Sequence, residues 1–170
     1  LPPYDPAGAR ALLAQAGYPD GASLGPISFI ANGGGYDGAI IAMLEDTNRD
    51  GTYDKRTEFA TGLSYPNGLQ PWRGGVFVTC APDVLYLRDT NGDGVADERS
   101  VVLTGFATGG STQLRVNDPT LGPDGWVYLA SGLSGGTIAA PEHPHLPTVK
   151  MDGHDLRFNP ITGAFGVVDG

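Results

Sequence analysis

Two short acidic stretches have the residue types and the spacing of a cation-binding loop. Asp, Asn and Asp alternate and a glycine follows in residues 46–54, and the same order returns 43 residues later (89 − 46) in residues 89–97. A hard dication such as Ca²⁺ takes six to eight oxygen ligands, and alternate residues of a tight loop point to one centre. The predicted metal ligands, including the backbone carbonyls of Thr52 and Val95, are Asp46, Asn48, Asp50, Thr52 and Asp54, then Asp89, Asn91, Asp93, Val95 and Asp97.

The loops also have a simpler explanation, because Asp, Asn and Gly are common turn residues. An EF-hand loop carries Glu at position 12 and lies between helices. Here position 12 is Thr57 or Ser100, and each loop follows a strand-like apolar run. Two loops with the same carboxylate spacing favour calcium over coincidence. We therefore expect a structural Ca²⁺ ion that neutralises clustered acids and holds a hairpin together.

The composition limits both the fold class and the partners. The chain has 170 residues, of which 40% are hydrophobic, 27 are glycine and 14 are proline, a load typical of many turns between short strands. A net charge of −9 argues against nucleic acid as a partner, and no apolar run is long enough to cross a membrane. The single cysteine, Cys80, excludes a disulfide framework and a cysteine-based zinc site.

The elements that must position the loops begin near residue 40. Short strands alternate with turns in a period of about 43 residues, which is typical of β-propeller blades. The predicted strands are 40–44, 56–60 and 76–80, then 84–88, 99–103 and 126–130, then 155–158 and 164–168. This makes two to two and a half four-stranded blades, whereas a closed propeller has about four to eight. We therefore expect a mainly β chain, a partial propeller that pairs with further blades or a second copy, or a small open β-structure.

The first part of the chain has a different character. Residues 1–22 predict an α-helix, with Asp5 as N-cap, Pro6 at the first helical position and Gly17 at its end. A strand is predicted at 26–31, and the domains are predicted to be 1–39 and 40–170. The sequence from Tyr4 to Gly21 resembles a segment of oligopeptide/dipeptide-type periplasmic solute-binding proteins. That resemblance carries none of the ligand pocket of those proteins.

Residues 43–170 resemble a second family, the membrane-bound dehydrogenases of planctomycete type, whose propeller is related to that of the quinoprotein sugar dehydrogenases. The stretches that carry the resemblance run in order along the chain and include 62–66 (GLSYP), 71–78 (PWRGGVFV), 113–117 (QLRVN), 122–128 (GPDGWVY) and 153–158 (GHDLRF). The resemblance implies a propeller, a periplasmic or extracellular location after export by a signal outside this chain, and oxidation of a sugar or alcohol with pyrroloquinoline quinone (PQQ).

The resemblance leaves the activity itself open. The quinoprotein sugar dehydrogenases use a His general base in the loop before the Gly-Pro-Asp-Gly turn, and here that loop, residues 111–118, contains no His. Arg115 and Asn117 are the candidates for binding substrate or cofactor, and they could equally hold a blade loop in place. His154 and Arg157 are the candidate catalytic residues, with a hydrogen-bonded structural histidine as the alternative.

Three functions follow from these observations. The first is a calcium-binding propeller segment of an exported dehydrogenase-like protein, incomplete in catalysis on its own. The second is a non-catalytic, calcium-stabilised β-module for protein or glycan interaction. The third, from residues 1–35, is a fragment of a solute-binding protein. Turnover with PQQ would separate the first from the second, and a peptide titration would test the third.

Overall fold

A computed structural model of the chain describes residues 27–31, 39–48, 50–131, 133 and 135–168. These residues are mainly β, and the only helical element among them is a single 3₁₀ turn at Thr112–Leu114. The predicted strand at 26–31 is confirmed, and the predicted helix at 1–22 lies outside the described residues. Within the described part of the chain, no helix is long and apolar enough to cross a membrane.

The strands form three antiparallel sheets, none of which closes on itself. Sheet 1 has the order β1-β2-β3, sheet 2 the order β11-β10-β7-β6-β5-β4, and sheet 3 the order β13-β12-β9-β8. The strands are β1 Ile27–Ala31, β2 Ala39–Glu45, β3 Lys55–Leu63, β4 Gly68–Trp72, β5 Gly75–Cys80, β6 Asp83–Arg88, β7 Glu98–Phe106, β8 Asn117–Leu121, β9 Val127–Ala130, β10 Gly136–Ala139, β11 Val149–Met151, β12 Asp155–Phe158 and β13 Phe165–Val168.

Sheet 2 is the middle layer, because it is buried on both faces. Phe77 of β5 belongs to one hydrophobic cluster, whereas its neighbours Val76 and Val78 belong to the other. Successive strand residues point to opposite faces, so β5 contributes to both clusters. The first cluster joins sheet 2 to sheet 3 through residues such as Leu156 and Phe158 of β12, and the second joins it to sheet 1.

The predicted strands are present, but their predicted grouping into units is wrong. Strand 76–80 pairs with 84–88 in sheet 2, because a two-residue connection joins them, and 126–130 pairs with 155–158 in sheet 3. Strands β4 to β7 form a sequential antiparallel meander, and β8, β9, β12 and β13 form a second one. Between β9 and β12 the chain leaves sheet 3 and forms the hairpin β10–β11, whose β10 pairs with β7 of sheet 2. Sheet 2 therefore has six strands rather than the predicted four, and the hairpin ties two neighbouring sheets together.

Candidate functional site

The first acidic loop joins β2 to β3 and is held in shape by its own backbone. The Gly51 N–H donates to Oδ2 of Asp46 at 2.8 Å, and the Asp50 N–H donates to Oδ1 of Asn48 at 2.9 Å. The Thr52 N–H donates to Oδ1 of Asp50 at 2.7 Å. The oxygens of the first, third and fifth positions therefore turn towards the inside of one tight turn.

The second loop joins β6 to β7 and repeats this network. Asp89 accepts from the Gly94 N–H at 2.7 Å, Asn91 from the Asp93 N–H at 2.9 Å, and Asp93 from the Val95 N–H at 2.8 Å. In each sheet the loop connects the last two of the strands that pair in chain order, β2 and β3 in sheet 1 and β6 and β7 in sheet 2. The repeat in sequence is thus a repeat in backbone conformation and in topology.

A threonine closes each loop, and sequence reasoning did not single it out. Thr47 donates its N–H and its hydroxyl to the two carboxylate oxygens of Asp54, at 3.0 and 2.9 Å. Thr90 binds Asp97 in the same way, at 2.8 and 2.7 Å. The signal that could have identified this contact is the Asp-Thr-Asn order at the start of both copies. The ninth residue of each loop is therefore a closing residue as well as a predicted metal ligand.

Hydrogen bonds keep three of these carboxyl groups ionised. The backbone N–H and then the hydroxyl of Thr47 lower the pKa of Asp54 from its usual value, and the hydroxyl and then the N–H of Thr90 lower the pKa of Asp97. The Gly94 N–H is the largest cause of the lowered pKa of Asp89. Hydrogen bonds donated to a carboxylate favour its charged form. The loops therefore gather negative charge at neutral pH.

A hard cation is the ligand that this donor set would take. The loops offer carboxylate and amide oxygens and a carbonyl at the seventh position, which are the oxygen types of calcium loops. Among the described residues, no group of three or more His, Cys, Asp or Glu side chains is gathered closely enough to hold a metal ion. An ion in either loop would therefore also be coordinated by the side chain of Asn48 or Asn91 and by backbone carbonyl oxygens.

The second loop also joins sheet 2 to sheet 1. The Ala96 N–H donates to the Phe59 carbonyl of β3 at 2.7 Å. Gly94 lies so close to β3 that an added Cβ would come within 3.1 Å of Cγ2 of Thr57. The equivalent glycine of the first loop, Gly51, has no atom within 4 Å of such a Cβ, and Tyr53 is 44% exposed. The second loop therefore packs against sheet 1, whereas Gly51, at the equivalent position of the first loop, faces open space.

Arg115 and Asn117 lie where the chain enters β8. One guanidinium N–H of Arg115 donates to the Thr108 carbonyl at 2.6 Å, and its carbon lies 5.8 Å from the ring centroid of Tyr65. Its Nε is buried and has no hydrogen-bond partner. Asn117 begins β8 opposite Ala130. Arg115 therefore holds its own loop while retaining one unused donor.

The structure gives His154 and Arg157 different surroundings. Arg157 lies 4.7 Å above the Trp126 ring, 3.8 Å from a carboxylate oxygen of Asp124, and near the Tyr128 hydroxyl. His154 is exposed, and its carbonyl accepts from the Ser131 hydroxyl. The side chains of His154 and Arg157 therefore share no partner in the described part of the chain, and Arg157 forms a structural contact between β12 and the β8–β9 turn.

Comparison with known proteins gives one match. The model of a family described as "Domain of unknown function (DUF7133)" matches residues 4–170, which spans both sides of the domain boundary predicted at residue 39. No curated protein and no solved structure matches the chain.

Proposed function

The chain belongs to the DUF7133 family, and we propose that it is a calcium-binding segment of a β-propeller. The observation that carries this proposal is the pair of acidic loops at equivalent hairpins of successive sheets, with the same hydrogen bonds in each. The role of the ion is structural: it neutralises clustered carboxylates and fixes the hairpin that each loop closes.

The arrangement of the sheets supports a propeller. Propeller blades are four-stranded sheets that follow one another around a central channel. Sheets 1, 2 and 3 stack in chain order, and the first strands of sheets 2 and 3, β4 and β8, touch. Oε1 of Gln70 in β4 accepts from the Leu121 N–H of β8 at 2.9 Å. Further blades or a second copy of the chain would complete the ring.

The donor chemistry supports calcium over softer metals. The residues that would hold the ion supply oxygen only, and hard oxygen ligands select Ca²⁺ or Mg²⁺ rather than thiolate- or imidazole-binding metals. Flexible oxygen loops with several carboxylates suit the larger ion, because Mg²⁺ demands near-ideal octahedral geometry. The first loop would use Asp46, Asn48, Asp50, the Thr52 carbonyl and Asp54, and the second Asp89, Asn91, Asp93, the Val95 carbonyl and Asp97.

Calorimetric titration with Ca²⁺ tests this function directly. We expect two binding events per chain, and loss of one of them in the double variant Asp46→Asn/Asp50→Asn. The variant Asp89→Asn/Asp93→Asn should lose the other event. Asp152→Asn, which removes an exposed acid paired with Lys150, is the control and should keep both. Absence of binding heat in the unmodified protein, with the fold verified by circular dichroism, would contradict the proposal.

Oxidation of a sugar or alcohol with PQQ is a second candidate, favoured by the unpartnered Nε of Arg115. Arginine binds anionic groups such as quinone carboxylates, and Asn117 lies two residues away. The residues nevertheless do not make up a quinone site. The loop 111–118 lacks the His that serves as general base in the quinoprotein sugar dehydrogenases, and Arg157 already contacts Asp124 and Trp126. No catalytic step is assigned to these residues.

Reconstitution with PQQ followed by a dye-linked oxidation assay separates the catalytic from the non-catalytic function. Turnover that is lost in Arg115→Ala would support an exported dehydrogenase. If the protein is saturated with calcium and shows no turnover, the result would support the second hypothesis, a non-catalytic, calcium-stabilised module for protein or glycan interaction. The solute-binding hypothesis for residues 1–35 remains a prediction, and a titration with oligopeptides tests it.

A further inference from the structure

The junction between sheets 2 and 3 contains a cavity of about 260 Å³. Its floor is formed by Tyr86 of β6 and by Ser100 and Val102 of β7, and residues 159–161 and 163 of the β12–β13 connection also line it. The cavity is distinct from both acidic loops and from the group around Arg115.

The cavity occupies a place that is filled at the preceding junction. Forty-three residues before the three floor residues stand Met43, Thr57 and Phe59 of sheet 1. The register is the same, because Met43 pairs with Thr57 as Tyr86 pairs with Ser100. In sheet 1 this surface is covered by Gly94 and Ala96 of the second acidic loop.

A shorter connection leaves the second junction open. The acidic loop that covers sheet 1 has nine residues, 89–97, whereas the β12–β13 connection has six, 159–164. That turn is closed on itself by the Asn159 N–H to the Ala164 carbonyl and the Gly163 N–H to the Asn159 carbonyl. His143, from the segment between β10 and β11, packs directly against Gly163 and fixes one wall. The cavity is therefore a departure from the repeat, and its walls are held by specific contacts.

One side of the cavity is aromatic. The ring centroids of Trp72 and Phe77 are 6.5 Å apart, and those of Phe77 and Tyr86 are 5.1 Å apart. The Tyr86 hydroxyl donates to the Trp72 carbonyl at 3.0 Å, so the ring is fixed. Aromatic faces pack well against a flat ring of a ligand. A volume just below the ~300–1,000 Å³ of most small-molecule sites suits a ligand of one ring.

Arg73 supplies the charge at this site. Its guanidinium lies 5.2 Å above the Trp72 ring and has no acidic partner among the described residues, whereas Arg88 is paired with Glu98 at 2.7 Å. Glu142 is the acid among the residues that line the cavity. Arginine matches a carboxylate with two parallel hydrogen bonds.

The backbone at Arg73 is strained, which is an independent indication of a function for this side chain. Arg73 and Gly74 form the two-residue turn between β4 and β5, with φ of 40° and 79°. A turn with positive φ at both positions favours Asn-Gly, and arginine is unusual at its first position. Strained residues of this kind cluster at ligand sites.

We propose that this cavity binds a small carboxylic acid that carries a six-membered ring. The ring packs against the aromatic wall, and the carboxylate is bound by Arg73. This site is additional to the calcium-binding function, because all of its lining residues lie outside the two acidic loops.

Calorimetric titration with three compounds tests the proposed ligand class. Sodium glucuronate and sodium benzoate both have a ring and a carboxylate, and glucose has a comparable ring without the charge. We expect at least one acid to bind about tenfold more tightly than glucose, the usual effect of hydrogen bonds to a charged group. Which of the two acids binds more tightly shows whether the natural ligand is a sugar acid or an aromatic acid. Binding of glucose as tightly as both acids, or no binding of either acid at tens of millimolar, would overturn the proposal.

Two variants decide whether the binding takes place in this cavity. Arg73→Asn puts the preferred residue into the turn, so the melting temperature should stay the same or rise while acid binding weakens about tenfold. Arg99→Ala removes an exposed arginine of β7 that does not line the cavity, and binding should be unchanged. Equal acid binding by Arg73→Asn and the unmodified protein would overturn the assignment.

Discussion

At the scale of single residues, the threonine that follows the first aspartate of each loop decides its shape. Thr47 and Thr90 each bind both oxygens of the ninth residue, Asp54 or Asp97. The side chain of this aspartate is thereby held across the mouth of the loop. Residues that orient metal ligands through hydrogen bonds affect affinity even though they do not touch the ion.

Removal of the Thr90 hydroxyl should weaken calcium binding by the second loop. Thr90→Val keeps the shape of the side chain and the backbone N–H but leaves Oδ2 of Asp97 without its donor. We expect roughly tenfold weaker binding at one of the two sites, as for other residues that support metal ligands. Calorimetric titration measures this change, with Thr61→Val, on the exposed part of β3, as the control. Unchanged affinity at both sites would show that Asp97 needs no support.

The lowered pKa values of Asp54 and Asp97 predict how stability depends on pH without calcium. Their folded-state pKa values lie below the usual value of 3.8, so the stabilisation is complete above that pH and is lost as the pH falls through the folded-state pKa. Asp97→Asn should therefore be less stable than the unmodified protein at pH 7 and equally stable in strong acid. Urea denaturation from pH 7 down to strong acid measures this. A difference in the free energy of unfolding between the two proteins that persists at the lowest pH would contradict the prediction.

At the scale of elements, the second loop acts as a contact between sheets, because Gly94 and Ala96 lie on β3. The sequence indicates the loops and the strands that precede them, since Asp, Asn and Gly in this order specify a turn and β2 and β6 are clear apolar runs. It could not indicate which loop would be covered. Tyr53 and Ala96 hold the same position in the two copies, and only the packing of sheets decides that one is exposed.

A pair of glycine substitutions separates the effect of this contact from backbone strain. Gly51 and Gly94 have φ of 91° and 89°, so alanine is strained at both, by about 1 to 2 kcal/mol. Only Gly94→Ala also places a Cβ 3.1 Å from the Thr57 side chain. We expect Gly94→Ala to cost about 1 kcal/mol more than Gly51→Ala in the free energy of unfolding. Equal losses in urea denaturation would show that the loop and β3 do not pack tightly.

One aromatic pair packs across the junction of sheets 2 and 3. Phe158 of β12 meets Phe77 of β5 edge to face, with centroids 5.0 Å apart, and is 1% exposed. Phe158→Ala should lower the free energy of unfolding by about 3 to 5 kcal/mol. Phe165→Ala, at a partly buried position of the neighbouring strand β13, should cost clearly less. Chemical denaturation of the two variants provides the comparison.

At the scale of the whole molecule, the sequence predicts the strands of the sheets better than it predicts the hairpin that connects neighbouring sheets. The turn between the predicted strands 155–158 and 164–168 can be inferred from the sequence, because Asn-Pro-Ile-Thr-Gly is made of turn residues between two apolar runs. The hairpin of β10 and β11 was missed, because its strands have only four and three residues and its partner β7 lies about 30 residues earlier in the chain. Pairing of this kind depends on tertiary packing more than on local propensity.

The central claim is that two calcium ions stabilise this stack, and thermal unfolding with calcium or with a chelator tests it most directly. A ligand that binds only the folded state, at 100 times its Kd, adds about 2.7 kcal/mol per site. We predict a higher melting temperature with calcium, about half of that rise in Asp89→Asn/Asp93→Asn, and none when both loops are altered. Melting curves of the unmodified protein that superimpose with calcium and with chelator would contradict the account.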